Sequence, residues 1–393
     1  MSAFKYRFYP TDAQAAELSR TFGCVRKVYN LALAARTEAW TLRQERVNYN
    51  ATSAMLTAWK KTGELAYLNE VSSVPLQQAL RHLQTAFTNF FAKRAKYPRF
   101  KPRKTSRKFA ECTTSAFRFR DGMLTLAKMA DPLDIVWSRP LPKDAQPSTV
   151  TVSQDAAGRW YVSLLCEDPS VRPLSDNGSA VGVDAGLDHL LTLSTGEKIT
   201  NPRHERRDRA RLAKAQRNLS RKARGDGANR AKARRKVARI HARIADRRRD
   251  NLHKITTRLV RENQTIVIED LTVRNLLKNG KLARAISDAA WSEFRSMLEY
   301  KAAWYGREVI AVDRWFPSSR LCSNCGALQD KMQLNVRTWT CDCGITHDRD
   351  VNAAKNLKAA GLAVSACGAG VRPQRSTPGG QSAMKQEPLR REL

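Results

Sequence analysis

Apolar and polar positions change rhythm several times along this chain. Residues 3–9 alternate, as a short half-buried strand does, and Pro10 ends the alternation. Residues 12–43 and 74–95 read as helices. In the second, Leu76, Leu80, Leu83, Phe87, Phe90 and Phe91 recur at three- and four-residue steps and form one apolar face. A basic, proline-interrupted stretch follows, Lys-Arg-Ala-Lys-Tyr-Pro-Arg-Phe-Lys-Pro-Arg-Lys at 93–104, which cannot continue as a long helix. Period-two patterning then governs residues 109–167, with a turn signal at Asp121-Gly122, and predicts a small antiparallel β domain closed as a barrel. The strand at 3–9 can pair into it, which makes 12–95 a helical insertion. Pro173 to Gly178 reads as a linker.

A different pattern begins at Ser179. Val181-Gly182-Val183-Asp184 is a buried strand ending in an acid, and His189–Ser194 with its Thr195-Gly196 turn continues it as a meander. Thr265–Glu269 is a second such strand, Glu308–Val312 a third, and Trp291, Phe294, Leu298, Ala302 and Tyr305 mark an amphipathic helix between them. Trp291, Trp304 and Tyr305 are read as core. Between the strands, residues 203–261 carry 23 Lys or Arg against 5 acids; Gly225-Asp226-Gly227 divides them into an antiparallel helical hairpin with one narrow apolar stripe. A last helix opens at Asp348–Asn356, and the Gly-, Pro- and Ser-rich residues 362–393 are expected to be disordered.

Composition sharpens this. The chain has 393 residues and a formal charge of +33, which calls for a polyanionic partner, nucleic acid before anionic lipid. No apolar run is long enough to span a membrane, and the first ten residues lack a signal-peptide apolar region, so a cytoplasmic protein is expected. Cys24, Cys112, Cys166 and Cys367 are scattered singly, whereas Cys322, Cys325, Cys341 and Cys343 fall within 22 residues: one metal site in a reducing compartment.

Two constellations carry chemistry. Asp184 and Glu269 each end a core strand, and Asp350 begins a helix. Carboxylates gathered in one crevice repel and desolvate each other unless divalent cations neutralise them, and two such cations can drive phosphodiester hydrolysis. Strand–acid–meander, strand–acid, acid–helix is the order of an RNase H-like nuclease core. Asp188, Asp270 and Asp348 are offset from that register and are read as supporting neighbours. The four clustered cysteines supply thiolates for a structural Zn²⁺. Their second pair, Cys341-x-Cys343, is one residue short of the usual spacing, so either Cys343 ligates with altered geometry or His347 replaces a thiolate. In the 93–108 stretch, Tyr97 and Phe100 among cations suit a loop facing nucleic acid.

Gly-Val-Asp-Ala-Gly-Leu (182–187), Val-Ile-Glu-Asp-Leu (267–271), Phe-Pro-Ser-Ser-Arg-Leu-Cys-Ser-Asn-Cys-Gly (316–326) and His-Asp-Arg-Asp-Val-Asn-Ala-Ala-Lys-Asn (347–356) together closely resemble TnpB. So do Ser-Asp-Ala-Ala-Trp-Ser-Glu-Phe (287–294), Lys-Tyr-Arg-Phe-Tyr-Pro (5–10) and Pro-Arg-Phe-Lys (98–101). TnpB proteins are transposon-encoded RNA-guided nucleases related to compact type V CRISPR effectors. The resemblance covers residues 3–360. It implies an α/β multidomain protein: a RuvC/RNase H-like core (176–315 and 345–361) with a zinc-ribbon insertion (316–344). Before it would come an OB-like wedge barrel (1–11 and 96–175) carrying the helical recognition domain (12–95). It also implies a guide RNA from the transposon end, cleavage of double-stranded DNA beside a short adjacent motif, and catalytic Mg²⁺ or Mn²⁺ on Asp184, Glu269 and Asp350. Residues reading that motif would be Tyr49, Ser53, Gln77 and Thr113, with Ser73 a departure where a relative carries lysine. Arg234, Arg235, Arg247 and Arg248 of the basic hairpin would contact nucleic acid, in a monomer or RNA-dependent assembly. An RNase H-like transposase and a guided binder that does not cut are the alternatives.

Overall fold

A computed structural model describes residues 2–223, 227–330, 332–333 and 335–366. The chain divides into two compact units, Met1–Ser170 and Val171–Leu393.

In the first unit, β1 (Ser2–Phe8) leads into α1 (Asp12–Arg43). Thr11 caps α1 in a reciprocal box with Gln14, so the helix starts directly after Pro10. Then come α2 (Tyr49–Trp59) and α3 (Ser73–Phe91). The apolar spacing predicted α3 as far as residue 95; it stops at Phe91 because Lys93 turns into the left-handed region (φ 56°). The remaining strands are β2 (Lys108–Thr113), β3 (Phe117–Arg120), β4 (Met123–Leu126), β5 (Ile135–Val136), β6 (Thr149–Gln154) and β7 (Trp160–Cys166). They form a hairpin of β3 with β4 and an antiparallel sheet ordered β2-β6-β7-β1-β5. The first strand does pair into the later β region, Ser2 opposite Cys166 through Phe8 opposite Trp160, so the helices are inserted between strands of one sheet. Tyr6, Phe8, Leu33, Leu76, Leu80, Leu83 and Leu164, nearly all fully buried, weld helices and sheet into one core.

The second unit is built on β8 (Ala180–Ala185), β9 (His189–Leu193), β10 (Lys198–Thr200), β11 (Thr265–Glu269) and β12 (Glu308–Val312) in the order β10-β9-β8-β11-β12. The β8–β9–β10 meander is antiparallel, and β11 runs parallel to both β8 and β12. The cationic segment folds as α4 (His204–Ser220) and α5 (Gly227–Glu262), joined by Leu212, Ala215, Ile240 and Ile244. Gly225 and Asp226 of the dividing turn lie outside the described residues. Two short helices that periodicity did not predict, α6 (Val273–Leu276) and α7 (Ala283–Ala289), precede α8 (Trp291–Tyr305). Each is too short to display a helical period. Trp291 is buried and Tyr305 packs against the core, but Trp304 is exposed to 36%, edge-on to Tyr300, so the core reading does not hold for it.

A small hairpin, β13 (Thr338–Thr340) and β14 (Thr346–Asp348), leads into α9 (Arg349–Ala366). Residues 362–366, assigned to a disordered tail from composition, continue this helix; 367–393, with Cys367, lie outside the described residues. The helix lies directly on the sheet. A Cβ on Gly182 of β8 would stand 2.0 Å from the Ala354 carbonyl oxygen, and one on Gly361 would stand 2.5 Å from Val267. Only glycine at both places lets helix and sheet approach this closely.

Candidate functional site: a carboxylate crevice beside a cysteine knuckle

Strand register brings two of the predicted acids together. Val183 of β8 pairs with Ile268 of β11, so Asp184 and Glu269, each the next residue, end neighbouring parallel strands at the same sheet edge. The contact of Gly182 with Ala354 and Lys358 lays α9 on β8, and Asp350, one turn before Ala354, comes close enough for its charge to act on Asp184. Asp184 senses the other two. The Asp184 carboxyl is pushed up to about 7, first by burial and then by the negative charges of Asp350 and Glu269, with Arg349 opposing. The Glu269 carboxyl is also raised, by burial and then by Asp270. Neither Asp184 nor Glu269 makes a side-chain hydrogen bond or ion pair with any described residue.

The three neighbouring acids are held differently. Asp270 lies between Arg295 (2.7 Å) and Arg314 (2.6 Å), and these guanidiniums outweigh its burial and lower its carboxyl. Asp348 meets Lys198 at 2.6 Å and accepts the Val351 N–H; its carboxyl too is lowered despite partial burial. Asp188 pairs with Arg203 (3.4 Å) and with Arg337. Arg337 also reaches Asp350, at 3.7 Å. Sequence reasoning missed Lys198, Arg295, Arg314 and Arg337, because a lone cation distant in sequence gives no local signal.

Hard divalent cations bind carboxylate oxygens, and an oxygen-rich crevice with two uncompensated acids has the donor chemistry to hold them. The acids do not, however, close to 4.8 Å of one another as a set of three. Among the described residues, only Cys322, Cys325, Cys341 and Cys343 do.

Those sulfurs stand 3.8 Å (Cys322 to Cys343) and 3.6 Å (Cys325 to Cys341) apart. Tetrahedral Zn²⁺ with Zn–S bonds of about 2.3 Å requires S···S spacings of about 3.8 Å, so the donor set fits. The short second pair therefore still brings Cys343 into the group, while the His347 Nε2 stands 3.0 Å from the Cys322 sulfur and outside the set. Burial pushes the Cys322 thiol up, but N–H groups of Cys325 and Asn324 together with His347 prevail and bring it down to about 5. The knuckle is bolted to α9 by two asparagines: Asn352 and Asn356 each donate to the Leu321 and Ser318 carbonyls, and Asn352 accepts from the Ser323 N–H. One helix thus carries Asp350 and anchors the cysteines.

A family model described as "Probable transposase" matches residues 162–280, and one described as "Cas12f1-like, TNB domain" matches 291–357. A Streptomyces pristinaespiralis protein named as a candidate RNA-guided DNA endonuclease is 73% identical over 389 residues, covering 99% of this chain and 96% of its own. The chain belongs to the TnpB family. An Escherichia coli protein with the same kind of name is 36% identical over 417 residues, covering 99% of this chain and 97% of its own. The fold is shared with a compact effector solved as a Cas12f1–sgRNA–target DNA complex, at a TM-score of 0.55 and 14% identity over 88% of this chain and 82% of that one. A third model, described as "Helix-turn-helix domain", matches residues 1–45. In this TnpB-family chain that span is one strand and a single long helix.

The remaining candidates fall on several surfaces. Tyr49 and Ser53 lie on α2, Gln77 on α3 and Thr113 at the end of β2, three elements packed together in the first unit. The guanidinium of Arg81, one turn beyond Gln77, lies over the Tyr49 ring, and Ser73 is exposed at the start of α3. On the hairpin, Arg234 and Arg235 are exposed, and Arg235 shares a cleft of about 490 Å³ with Arg211, Lys232, Lys236, Arg239 and Arg243. Arg247 instead pairs with Asp208 at 2.8 Å, and Arg248 donates to the Ser287 carbonyl beside Glu293. Arg247 thus braces the hairpin internally, and Arg248 ties it to α7 and α8.

Proposed function

We propose that this protein is an RNA-guided DNA endonuclease. Its second unit would be a RuvC-type core with a zinc ribbon, and its first unit an OB-like wedge barrel carrying the recognition helices. The carrying observation is the contrast in the crevice: among the described residues Asp184 and Glu269 have no ion-pair partner, while Asp270, Asp348 and Asp188 beside them are clamped. An unpaired, mutually repelling pair of carboxylates is costly to keep, and divalent cations relieve that cost. Asp184, Glu269 and Asp350 would hold them. Two such ions, when bound, supply an activated water and neutralise the leaving oxygen in phosphodiester hydrolysis. Lys198, Arg295 and Arg314 fix the neighbouring carboxylates so that these do not compete for the ions.

The free cations of α4 and α5 would grip a guide–target duplex by its phosphates, base pairing would read the sequence, and Tyr49, Ser53, Gln77 and Thr113 would read the flanking motif. The relatives' names support guide RNA and DNA as partners and the cysteine geometry supports structural Zn²⁺; Mg²⁺ is the cation proposed for the crevice. The test expresses the chain with its downstream non-coding region, sequences the RNA that co-purifies, and offers guide-matched plasmids with randomised flanks in Mg²⁺. Loss of plasmids bearing one flank, abolished by Asp184→Ala, is expected. Intact plasmids despite a discrete bound RNA would refute cleavage and leave a guided binder. The "Probable transposase" description of the family model favours one other reading, DNA strand transfer without RNA, which the same assay would register as joined products.

A further inference from the structure

The segment after α3 has no part in the crevice or the cysteine knuckle, yet it is the most unusual surface of the first unit. Phe91 is 71% exposed, Phe100 58% and Tyr97 42%. These rings are not loose. Phe87, buried under the guanidinium of Arg36, stacks on Phe91 at 6.2 Å and meets the Tyr97 ring edge-on at 5.5 Å, and Phe90 packs edge-on to Tyr97 at 5.3 Å. Tyr97 donates its hydroxyl proton to Thr37 Oγ1 of α1, whose own proton goes to the Leu33 carbonyl. The turn itself is fixed by N–H bonds from Arg94 and Ala95 to the Asn89 carbonyl. Farther along, Lys101 exchanges two hydrogen bonds with Asn30 and lays its ammonium 3.5 Å above the Tyr29 ring. The Phe91 and Tyr97 rings are therefore held in place from beneath, and the backbone just after Phe100 is anchored to α1.

Along this segment the charge is all of one sign. Residues 93–108 contain nine Lys or Arg and no acid. Lys93, Arg94, Lys96, Arg99, Arg103 and Lys104 are exposed, and none forms an ion pair with a described residue. Exposed aromatic faces fixed among unpaired cations match a chain that offers both flat bases and phosphates. A second copy of this protein would bring the same cations and a charge of +33, so like charges oppose self-association here. An apolar patch of this kind also needs a standing cover, and a guide RNA is bound throughout, whereas a target DNA strand comes and goes.

We propose that the exposed rings Phe91, Tyr97 and Phe100 form a stacking surface for unpaired bases of the guide RNA, with the lysines and arginines of the same segment on its phosphates. The proposal rests on the guided reading above. To test it, the RNA that co-purifies with the full chain is extracted and titrated back by filter binding at several salt concentrations. The wild type, a Phe91→Ala/Phe100→Ala pair and a Phe91→Trp/Phe100→Trp pair are compared. Base–aromatic stacking of the usual strength predicts roughly 10- to 100-fold weaker binding for the alanine pair. The slope of log affinity against log salt should stay unchanged, because no cation is removed. The tryptophan pair should restore affinity, and both pairs should keep the wild-type melting temperature because the rings they alter are exposed. Ultraviolet cross-linking of the RNA complex should leave nucleotide adducts on peptides spanning 90–100. Unchanged RNA affinity in the alanine pair would overturn the stacking surface, as would adducts that appear only with target DNA, or a dimer dissolved by the substitutions with RNA affinity intact. Each of those results leaves the guided reading standing, whereas a wild-type preparation without any RNA would remove both.

Discussion

Six acids crowd one edge of the second unit, and they divide into two sets treated in opposite ways. Asp270 and Asp348 have cations within 2.7 Å and carboxyls lowered below their ordinary range. Asp184 and Glu269, the latter next to Asp270 in sequence, have no such partner among the described residues and are raised. Burial raises Asp184 and Glu269 first, and no arginine or lysine among the described residues is placed to offset it as at Asp270 and Asp348. A fold that needed only stability would have paired all six. What the arrangement teaches is that a site can be recognised by the counter-charges withheld from it.

The largest effect should come from filling in that contrast with an uncharged residue. Asp184→Asn removes a like charge and a desolvated carboxylate, so the folded protein should gain about 1 kcal/mol or more against urea. Guided cleavage should fall by on the order of a thousandfold or more, about 4 kcal/mol of lost transition-state stabilisation. RNA affinity should not move. Cleavage at the wild-type rate would show that the withheld charges have another purpose.

The cysteines keep their negative donors in the other way available, by sharing one soft cation. One Zn²⁺ per chain is expected by elemental analysis. Cys341→Ser, or a strong chelator, should release it and lower the melting temperature by at least about 5 °C, because ligand binding and local folding are coupled. Since Asn352 and Asn356 bolt α9 to this knuckle, cleavage should fall with zinc content. A metal-free protein with unchanged melting would break the link between knuckle and helix.

Much of this contrast could be read from sequence, and the part that could not has a physical reason. Apolar strands that end in Asp184 and Glu269 announce themselves, because burial on both faces leaves continuous runs of Val and Ile. The cysteine spacing does the same. The counter-charges do not: Lys198 to Asp348 spans 150 positions and Arg337 to Asp188 spans 149, contacts that exist only after the sheet has ordered its strands. The glycines at 182 and 361 were visible as letters, but not as the two points where α9 rests on the sheet. Likewise Arg247 and Arg248 look like any other cations of the hairpin until Asp208 and Glu293 are found beside them.

Lys301 offers the mirror image of Asp184, a buried cation with no carboxylate partner among the described residues. It is 5% exposed and donates to the His253 carbonyl and to the hydroxyls of Thr256 and Thr257. Burial, reinforced by Arg261, brings its ammonium down to about 8. Unfolded, the same group titrates near 10.4. Below about pH 8 both states are protonated and the native state bears the burial cost. Between about 8 and 10.4 the native state releases its proton first, so the unfolded state binds more protons and stability rises with pH, by on the order of 2–3 kcal/mol in full. Lys301→Met should lack that rise. A wild-type-minus-variant difference in unfolding free energy that is flat across this range would mean that the three acceptors hold the ammonium charged.

The smallest effect is the most pointed, because Arg337 belongs to both sets of acids. It pairs with Asp188 and lies 3.7 Å from Asp350; Arg337 itself is more than half exposed and this second contact is long, so it is worth about 0.2–1 kcal/mol. A guanidinium at that place opposes the arrival of a divalent cation at the same carboxylate. Arg337→Gln should therefore lower the Mg²⁺ concentration for half-maximal cleavage by about 1.5- to 5-fold, the ratio that energy allows. The melting temperature should hardly change. If half-saturation instead moves upward, Arg337 is not a competitor for the crevice but a support for Asp350, and Asp350 would then join the clamped acids.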